Sequence, residues 1–420
     1  HELSSALAKA RRLLLEAMIS EPDKEALGIH GSGPDKTLYR TVLEVPGLHR
    51  RTKAGWSFKP PKPDSPIYQT WQRLIDLLHA ATEGRLSVDE LYAELASPPF
   101  GVREGVAPVF LTAALIIDRD VLALYENGTF VPRLTNDLVE RLLKNPQNFQ
   151  VKHFASRTGP RSRLLTTIAE KLQLPVSQSK QRQQVGSVLA VVSHLVKTIV
   201  DVPPYTQRTT HLEKGTLAVR KHLLDATEPD ELLFSAIPTA LGFEPVPGHG
   251  SYPPDKIEQL ALGLTEAVEE LRNAYPRLLE MLRNELRGAL DGPESNLQQH
   301  LATRAAVLNG QAINPRLKSL IVALTTDLDS EGWIEYVAMN VVAGKAPQQW
   351  GDQDRANFLF ELRDVADTFL RVEWLNADLR TRADGFDALR VAVTRPDGTE
   401  RVKLVTINHA RREVLETAVN

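Results

Sequence analysis

An apolar repeat with helical spacing runs through residues 257–290 and constrains the fold more than any other feature of the sequence. Its members recur every three or four positions: Ile257, Leu260, Leu264, Val268, Leu271, Leu278, Leu282 and Leu286. This spacing places them on one face of an α-helix, and that face must pack against other elements. The same pattern predicts further helices, at 296–308, 315–327, 331–343 and 353–376. We therefore predict a mainly α protein built as a multi-helix array, without the fixed repeat that would indicate a solenoid.

One stretch in the first half of the chain follows the element order of a winged-helix module. The elements predicted within 87–154 are helices at 88–96 and 103–117, strands at 121–125 and 129–131, a helix at 136–144 and a strand at 149–154. Asn127-Gly128 is typical of a two-residue hairpin turn, because both positions take positive φ. Ser87 with Glu90 has the pattern of a capping box, and Thr135 is suited to cap the helix that follows it.

The second helix of this module is poorly suited to reading DNA. In a helix-turn-helix protein that helix enters the major groove. Here residues 106–117 are apolar on nearly every face, and Arg103 is the only cation of the helix. A helix that is apolar all round is buried, and the hairpin tip at Glu126-Asn127 offers no cation either. We therefore expect a packing module rather than a reader of bases.

The end of the chain has the pattern of a β-hairpin. Residues 389–394 and 402–407 alternate in polarity, and Pro396-Asp397-Gly398 between them suits a turn. A short helix is expected at 409–418. The predicted regions are a helical and loop-rich part at 1–86, the winged-helix-like module at 87–154, a basic helical part at 155–235, an acidic helical part at 236–385, and the hairpin with its terminal helix at 386–420.

Charge is distributed unevenly along the chain, although the net charge is only −3. Residues 144–224 hold 13 Lys and Arg against three acids, whereas residues 225–385 hold 14 against 26. Such a basic segment suits an anionic polymer, whose phosphates it would contact in a salt-dependent way. The alternative is that it neutralises the acidic region of the same chain, or meets an acidic protein. The sequence alone favours neither interpretation.

Two groups of cations are candidates for nucleic-acid binding. The first lies between Glu44 and Asp64, where no acid occurs, and comprises Arg50, Arg51, Lys53, Lys59 and Lys62 with Trp56 and Phe58 interleaved. Cations with aromatic rings suit single strands, because rings stack on bases while Lys and Arg follow the phosphates. The second group comprises Lys152, Arg157, Arg161, Arg163, Lys171, Lys180 and Arg182, opposed only by Glu170.

The sequence offers no strong catalytic, metal-binding or cofactor-binding motif. The 420 residues include no cysteine, so disulfides and thiolate metal sites are excluded. The eleven histidines show no metal-ligand spacing, and the glycine-rich run at 28–37 has Pro34 and Asp35 where a phosphate-binding loop needs Lys and Ser or Thr. We expect no catalytic residue, metal or cofactor, no membrane span, and a cytoplasmic location. The first residue is His1 rather than Met, for which the sequence leaves two explanations open: a fragment of a longer protein, or a tag remnant.

Several segments resemble the helical, non-motor region of large bacterial ATP-binding proteins of phage-defence and DNA-restriction systems. They are Pro98–Val106, Ala123–Pro132, Pro204–Thr210 and Arg390–Gly398. The resemblance names no catalytic residue, and the ATPase motifs of that family are missing here. It implies a non-catalytic scaffold or regulatory region of a DNA-acting defence assembly, with an ATPase domain or subunit among its protein partners. A direct, sequence-tolerant nucleic-acid-binding protein and a divergent enzyme remain the alternatives.

Overall fold

The protein is mainly helical, as predicted, with 64% helix and 8% strand. A computed structural model describes residues 4–155, 158–174, 187–309, 314–342, 344–380, 387–394, 396 and 400–407. The chain divides into two compact units: the first contains His1–Val202 and Leu212–Leu271, and the second contains Pro203–His211 and Arg272–Asn420.

The helix boundaries follow the apolar periodicity of the sequence. In chain order they are α1 (Ser5–Ser20), α2 (Pro34–Tyr39), α3 (Tyr68–Ala80), α4 (Val88–Ala96), α5 (Ala107–Ile117), α6 (Asn136–Lys144), α7 (Gly159–Lys171), α8 (Val188–Asp201), α9 (Pro204–Arg208), α10 (Lys214–Leu224), α11 (Pro229–Glu231), α12 (Ile237–Ala240), α13 (Pro254–Ala289), α14 (Leu297–Leu308), α15 (Pro315–Thr325), α16 (Ser330–Val341) and α17 (Asp352–Arg380). A π-helical turn, Arg40–Glu44, extends α2, and another, Leu232–Ala236, joins α11 to α12. Single 3-10 turns lie at Glu25–Gly28, Pro146–Asn148 and Pro347–Gln349.

The strands form small antiparallel sheets. They are β1 (His49–Thr52), β2 (Gly55–Phe58), β3 (Leu86–Ser87), β4 (Leu122–Glu126), β5 (Thr129–Val131), β6 (Phe149–His153), β7 (Asp387–Thr394) and β8 (Glu400–Ile407). β1 pairs with β2, and β7 pairs with β8. The other four form one sheet in the order β3-β6-β4-β5. Of the turn predicted at 396–398, only Pro396 is among the described residues, and the helix predicted at 409–418 lies outside them.

The local signals around the four-stranded sheet are confirmed with one exception. Asn127 and Gly128 take φ of 48° and 82°, and the Thr135 side chain accepts a hydrogen bond from the backbone N–H of Leu138. The capping box at Ser87 is wrong. Its hydroxyl instead donates to the carboxylate of Asp89, so it is not available to the backbone of the first turn.

Within residues 1–86, predicted to be helical and loop-rich, the segment 21–65 contains α2 and the β1–β2 hairpin. Both strands are only four residues long, so alternation of polar and apolar residues is too brief to detect. The glycine-rich run ends at Gly33, directly before the six-residue helix α2, and the 3-10 turn Glu25–Gly28 rather than a strand lies at its start.

The four-stranded sheet is buried on both faces within the first unit. Leu122 and Leu124 of β4 join a core with α1, α3, α4 and α5, whereas Ala123 and Tyr125 join a second core with α7, α8, α10 and α13. All residues of α5 from Ala107 to Leu115 are buried, which confirms that this helix is a packing element. The second unit has a core of its own, formed mainly by apolar residues of α13 to α17.

Candidate nucleic-acid interface

The β1–β2 hairpin presents several cations without acidic partners. Arg51, Lys53, Lys59 and Lys62 are exposed, and none of them forms an ion pair within the described part of the chain. Arg51 lies directly opposite Trp56 in the strand register. We call residues 49–62, with these four cations, the basic hairpin. Its charges are available to an anionic partner.

Arg50 has a different role from its neighbours. Its guanidinium donates hydrogen bonds to the carbonyl oxygens of Gly47 and Pro60, the second at 2.8 Å. These bonds join the two ends of the hairpin. Arg50, which the sequence placed among the nucleic-acid contacts, therefore holds the hairpin together in this structure.

Trp56 is half-buried and stacks on His49, with 5.3 Å between ring centroids and 24° between ring planes. His49 is fully buried and also contacts Phe58, at 4.8 Å. Its Nε2 donates to the carbonyl of Pro22 at 3.0 Å, so its Nδ1 accepts from the Tyr39 hydroxyl, also at 3.0 Å. Two hydrogen bonds thus fix the ring on which Trp56 rests.

Burial lowers the pKa of His49, and it does so against the opposing effects of the Pro22 carbonyl and Glu44. Burial likewise raises the pKa of Tyr39. Both rings are therefore neutral at physiological pH. Sequence reasoning identified the aromatic and basic residues of this hairpin but not the histidine that supports Trp56.

We expect the free energy of unfolding to fall as the pH is lowered from about 7.5 to about 5.5, across the ordinary histidine pKa. Because the pKa of His49 is lowered in the fold, the unfolded chain takes up a proton there that the folded chain does not. His49→Phe should flatten this dependence and cost about 1–3 kcal/mol at neutral pH, since Tyr39 and Pro22 lose a partner. Urea unfolding of both proteins at the two pH values measures this. Equal pH dependence in both would contradict the assignment.

The second group of candidate cations is largely engaged within the fold. The Lys152 ammonium lies 2.8 Å from the Glu228 carboxylate and 5.1 Å from the Phe154 ring centroid. Arg161 donates to the carbonyl of Val246 at 3.0 Å and lies over the Phe234 ring. A phosphate would have to compete with these contacts.

Of the remaining members of the second group, Lys171 pairs with the Glu258 carboxylate at 2.6 Å, one side chain is exposed, and three positions are undescribed. Arg163 is exposed and lines a shallow cleft beside Pro254 and Ile257. Arg157, Lys180 and Arg182 lie outside the described residues. The structure therefore does not bring this group together as one charged surface within the residues that it describes.

Glu228 lies at the centre of a polar cluster in the first unit. Its carboxylate accepts from Arg85 at 2.9 Å, from Lys152 at 2.8 Å and from the Tyr125 hydroxyl at 3.2 Å. Arg85 also lies 3.8 Å from the Tyr125 ring centroid and donates to the carbonyl of Gly128 at the hairpin tip. The cluster fastens the β4–β5 hairpin to the segment before α11. Lys152, one of the cations of residues 144–224, is thus neutralised by an acid of residues 225–385, as one of the two sequence interpretations proposed.

A smaller polar cluster in the second unit holds the start of α17. The Asp352 carboxylate accepts from the Thr209 hydroxyl at 2.8 Å and from the backbone N–H of Thr210 at 2.9 Å, and it lies 3.8 Å from His211 Nε2. Burial alone would raise the pKa of Asp352, but hydrogen bonds from Thr210 and Thr209 outweigh it and lower that pKa. The cluster attaches the Pro203–His211 segment to the rest of its unit.

No group of His, Asp and Glu among the described residues has an arrangement that could hold a metal ion. Likewise, no helix in the described ranges is both long and apolar enough to cross a membrane. No protein-family model, curated protein or solved structure matches this chain. We therefore infer function from the contacts and charges of its own residues.

Proposed function

We propose that this chain is a non-catalytic helical scaffold that binds nucleic acid through the basic hairpin. The observation that carries the proposal is the placement of Trp56 on a fixed, buried histidine among unpaired cations. Arg51 and Lys53 supply charge for phosphates next to a ring that can stack on a base. Charge and stacking together favour a sequence-tolerant contact rather than readout of base pairs.

The four-stranded sheet and its helices support a structural role for this part of the chain, separate from the nucleic-acid contact. The chain order α3-β3-α4-α5-β4-β5-α6-β6, with β6 between β3 and β4 in the sheet, supports a winged-helix-like interpretation in which β5 and α6 extend the wing. We therefore propose a winged-helix-like packing module. Its buried α5 and its wing, fastened through Glu228, are engaged in packing. The nucleic-acid contact is assigned to the basic hairpin instead.

The resemblance of Pro98–Val106 and Ala123–Pro132 to bacterial defence proteins supports a place in a DNA-acting defence assembly. In that setting, the ATPase activity would belong to another domain or subunit, and this chain would supply contacts. We also propose that the β7–β8 pair is the C-terminal hairpin that the sequence predicts. A cytoplasmic location fits this role and remains part of the proposal.

The test is binding of labelled single-stranded and duplex oligonucleotides at several salt concentrations. The variant Arg51→Gln/Lys53→Gln/Lys59→Gln removes three exposed cations of the basic hairpin. We expect about tenfold weaker binding near 0.1 M salt and a salt slope shallower by about 2, because each lost phosphate contact removes about 0.7 from the slope for single strands. Arg163→Gln tests the second group of cations separately.

A matched control is Arg119→Gln/Arg133→Gln, which removes exposed cations elsewhere in the first unit. It should leave the salt slope unchanged. An unchanged slope in the hairpin variant would refute the assignment of the interface to the basic hairpin. Lack of any binding at low salt would refute nucleic-acid binding and favour an acidic protein as the partner.

A further inference from the structure

An open cleft of about 300 Å³ lies in the first unit, and none of the described residues that line it belongs to the basic hairpin, although Pro22, whose carbonyl accepts from His49, is one of them. It is formed where the ends of α1 and α5 meet β4, β5 and the start of α8. Its volume is at the lower end of the range for ligand-binding clefts. It therefore suits a few side chains rather than a large cofactor.

The floor of the cleft is apolar and fixed. Leu122, Phe130 and Leu189 line it and are at least nine-tenths buried in the two cores of the unit. Ile19 and Ile116 line it as well and are only partly buried. An apolar segment seated here would remove these two side chains from water, which favours binding.

The rim of the cleft is cationic. Arg119 and Arg133 line it and are exposed, with 79% of the Arg119 side chain accessible. The nearest carboxylate to Arg119 is that of its neighbour Asp120, at 4.0 Å, and Arg133 has no ion pair among the described residues. No acidic residue of the described chain lines the cleft. A ligand with carboxylates at its ends would pair with both arginines.

We propose that this cleft docks a short peptide segment of a partner protein that carries large apolar side chains flanked by Asp or Glu. Charge complementarity with Arg119 and Arg133 selects the carboxylates, and the floor selects the apolar residues. Nucleic acid is disfavoured, because Phe130, the one aromatic ring among the described residues that line the cleft, is buried and offers no stacking surface. This inference does not depend on nucleic-acid binding by the basic hairpin.

The test begins with a random peptide phage library panned on the folded protein. Counter-selection uses the Arg119→Gln/Arg133→Gln variant. Enriched sequences should combine apolar residues with Asp or Glu, and a labelled peptide of such a sequence should bind at least tenfold more weakly to the double variant. Ile116→Asn, which makes the floor polar and leaves the rim intact, should weaken binding of the same peptide.

The control is Arg51→Gln/Lys53→Gln in the basic hairpin, which should leave peptide binding unchanged. Oligonucleotide binding should weaken in Arg51→Gln/Lys53→Gln and stay unchanged in Arg119→Gln/Arg133→Gln. Failure of one proposal is thereby distinguished from failure of the other. Absence of acidic and apolar sequences among the enriched peptides, or equal binding to all variants, would overturn the inference. Arginine-dependent binding of laurate without any enriched peptide would assign the cleft to a small amphiphile and overturn it too.

Discussion

Glu228→Gln is expected to lower the free energy of unfolding by about 2–3 kcal/mol at neutral pH. Glutamine keeps the shape of the side chain but removes the charge that Arg85 and Lys152 share. These cations are 26% and 19% exposed, so water compensates them only in part. Breaking a fully buried pair costs about 3–5 kcal/mol, and the residual exposure reduces that figure.

The loss of unfolding free energy in Glu228→Gln should depend on pH, in the direction set by ionisation of the Glu228 carboxylate. Burial alone would raise the pKa of Glu228, but hydrogen bonds from Lys152 and Arg85 outweigh it and hold that pKa below its ordinary value. The stabilisation is therefore present above the pKa of the unfolded chain, about 4.3. It is lost as the pH falls through the lower pKa of the folded state. Wild type and variant should converge in acid, as urea unfolding across this range will show.

The matched control is Glu258→Gln. Glu258 pairs with Lys171 at 2.6 Å, but 61% of its side chain is exposed. Its replacement should cost at most about 0.5 kcal/mol, because exposed ion pairs contribute little. Adding Lys152→Met to Glu228→Gln should restore part of the loss, since one of the two uncompensated charges is then removed. Similar losses for Glu228→Gln and Glu258→Gln would contradict the role of the cluster.

The helices were largely predictable because their signals are local. The repeat at 257–290 corresponds to α13, and the predicted span at 88–96 is that of α4. Thr135 and Asn127-Gly128 act within three residues of their own positions. Burial of α5 also followed from composition alone, because no face of that helix suits water.

Long-range pairing was not predictable. Lys152 and Arg85 meet Glu228 across 76 and 143 positions of the chain. A count of charges along the sequence cannot distinguish such internal cations from those of a surface. For this reason Lys152, Arg161 and Arg50 were candidates for nucleic-acid binding alongside Arg51 and Lys53, although only the latter two of these five are exposed. Burial, rather than local charge density, distinguishes cations that are engaged within the fold from cations that are exposed to a partner.

The packing of His49 against Trp56 could not be predicted from the sequence, for the same physical reason. His49 meets Tyr39 and Pro22 through folding of the loop-rich segment, which has no periodic signal. What the sequence did show was the interleaving of Trp56 with cations. The structure adds that one ring is held in place by another, so little side-chain entropy remains to be lost on binding a base.

Trp56→Ala is accordingly expected to weaken single-strand binding by about tenfold or more, because stacking contributes about 1–3 kcal/mol per base. Duplex binding should change much less, since paired bases do not offer their faces. The salt slope should stay as in wild type, because no phosphate contact is removed. Fluorescence anisotropy with oligonucleotides of both kinds measures all three quantities.

Two variants separate stacking from a general effect on folding. Trp56→Phe keeps an aromatic ring above His49 and should retain most of the affinity. Trp374→Ala removes a half-exposed tryptophan of the second unit and should leave binding unchanged. If Trp56→Ala weakens single-strand and duplex binding equally, the ring does not stack on bases, and the cations alone account for the contact. If it also lowers the salt slope, the loss comes from displacement of Arg51, which lies opposite Trp56 in the hairpin.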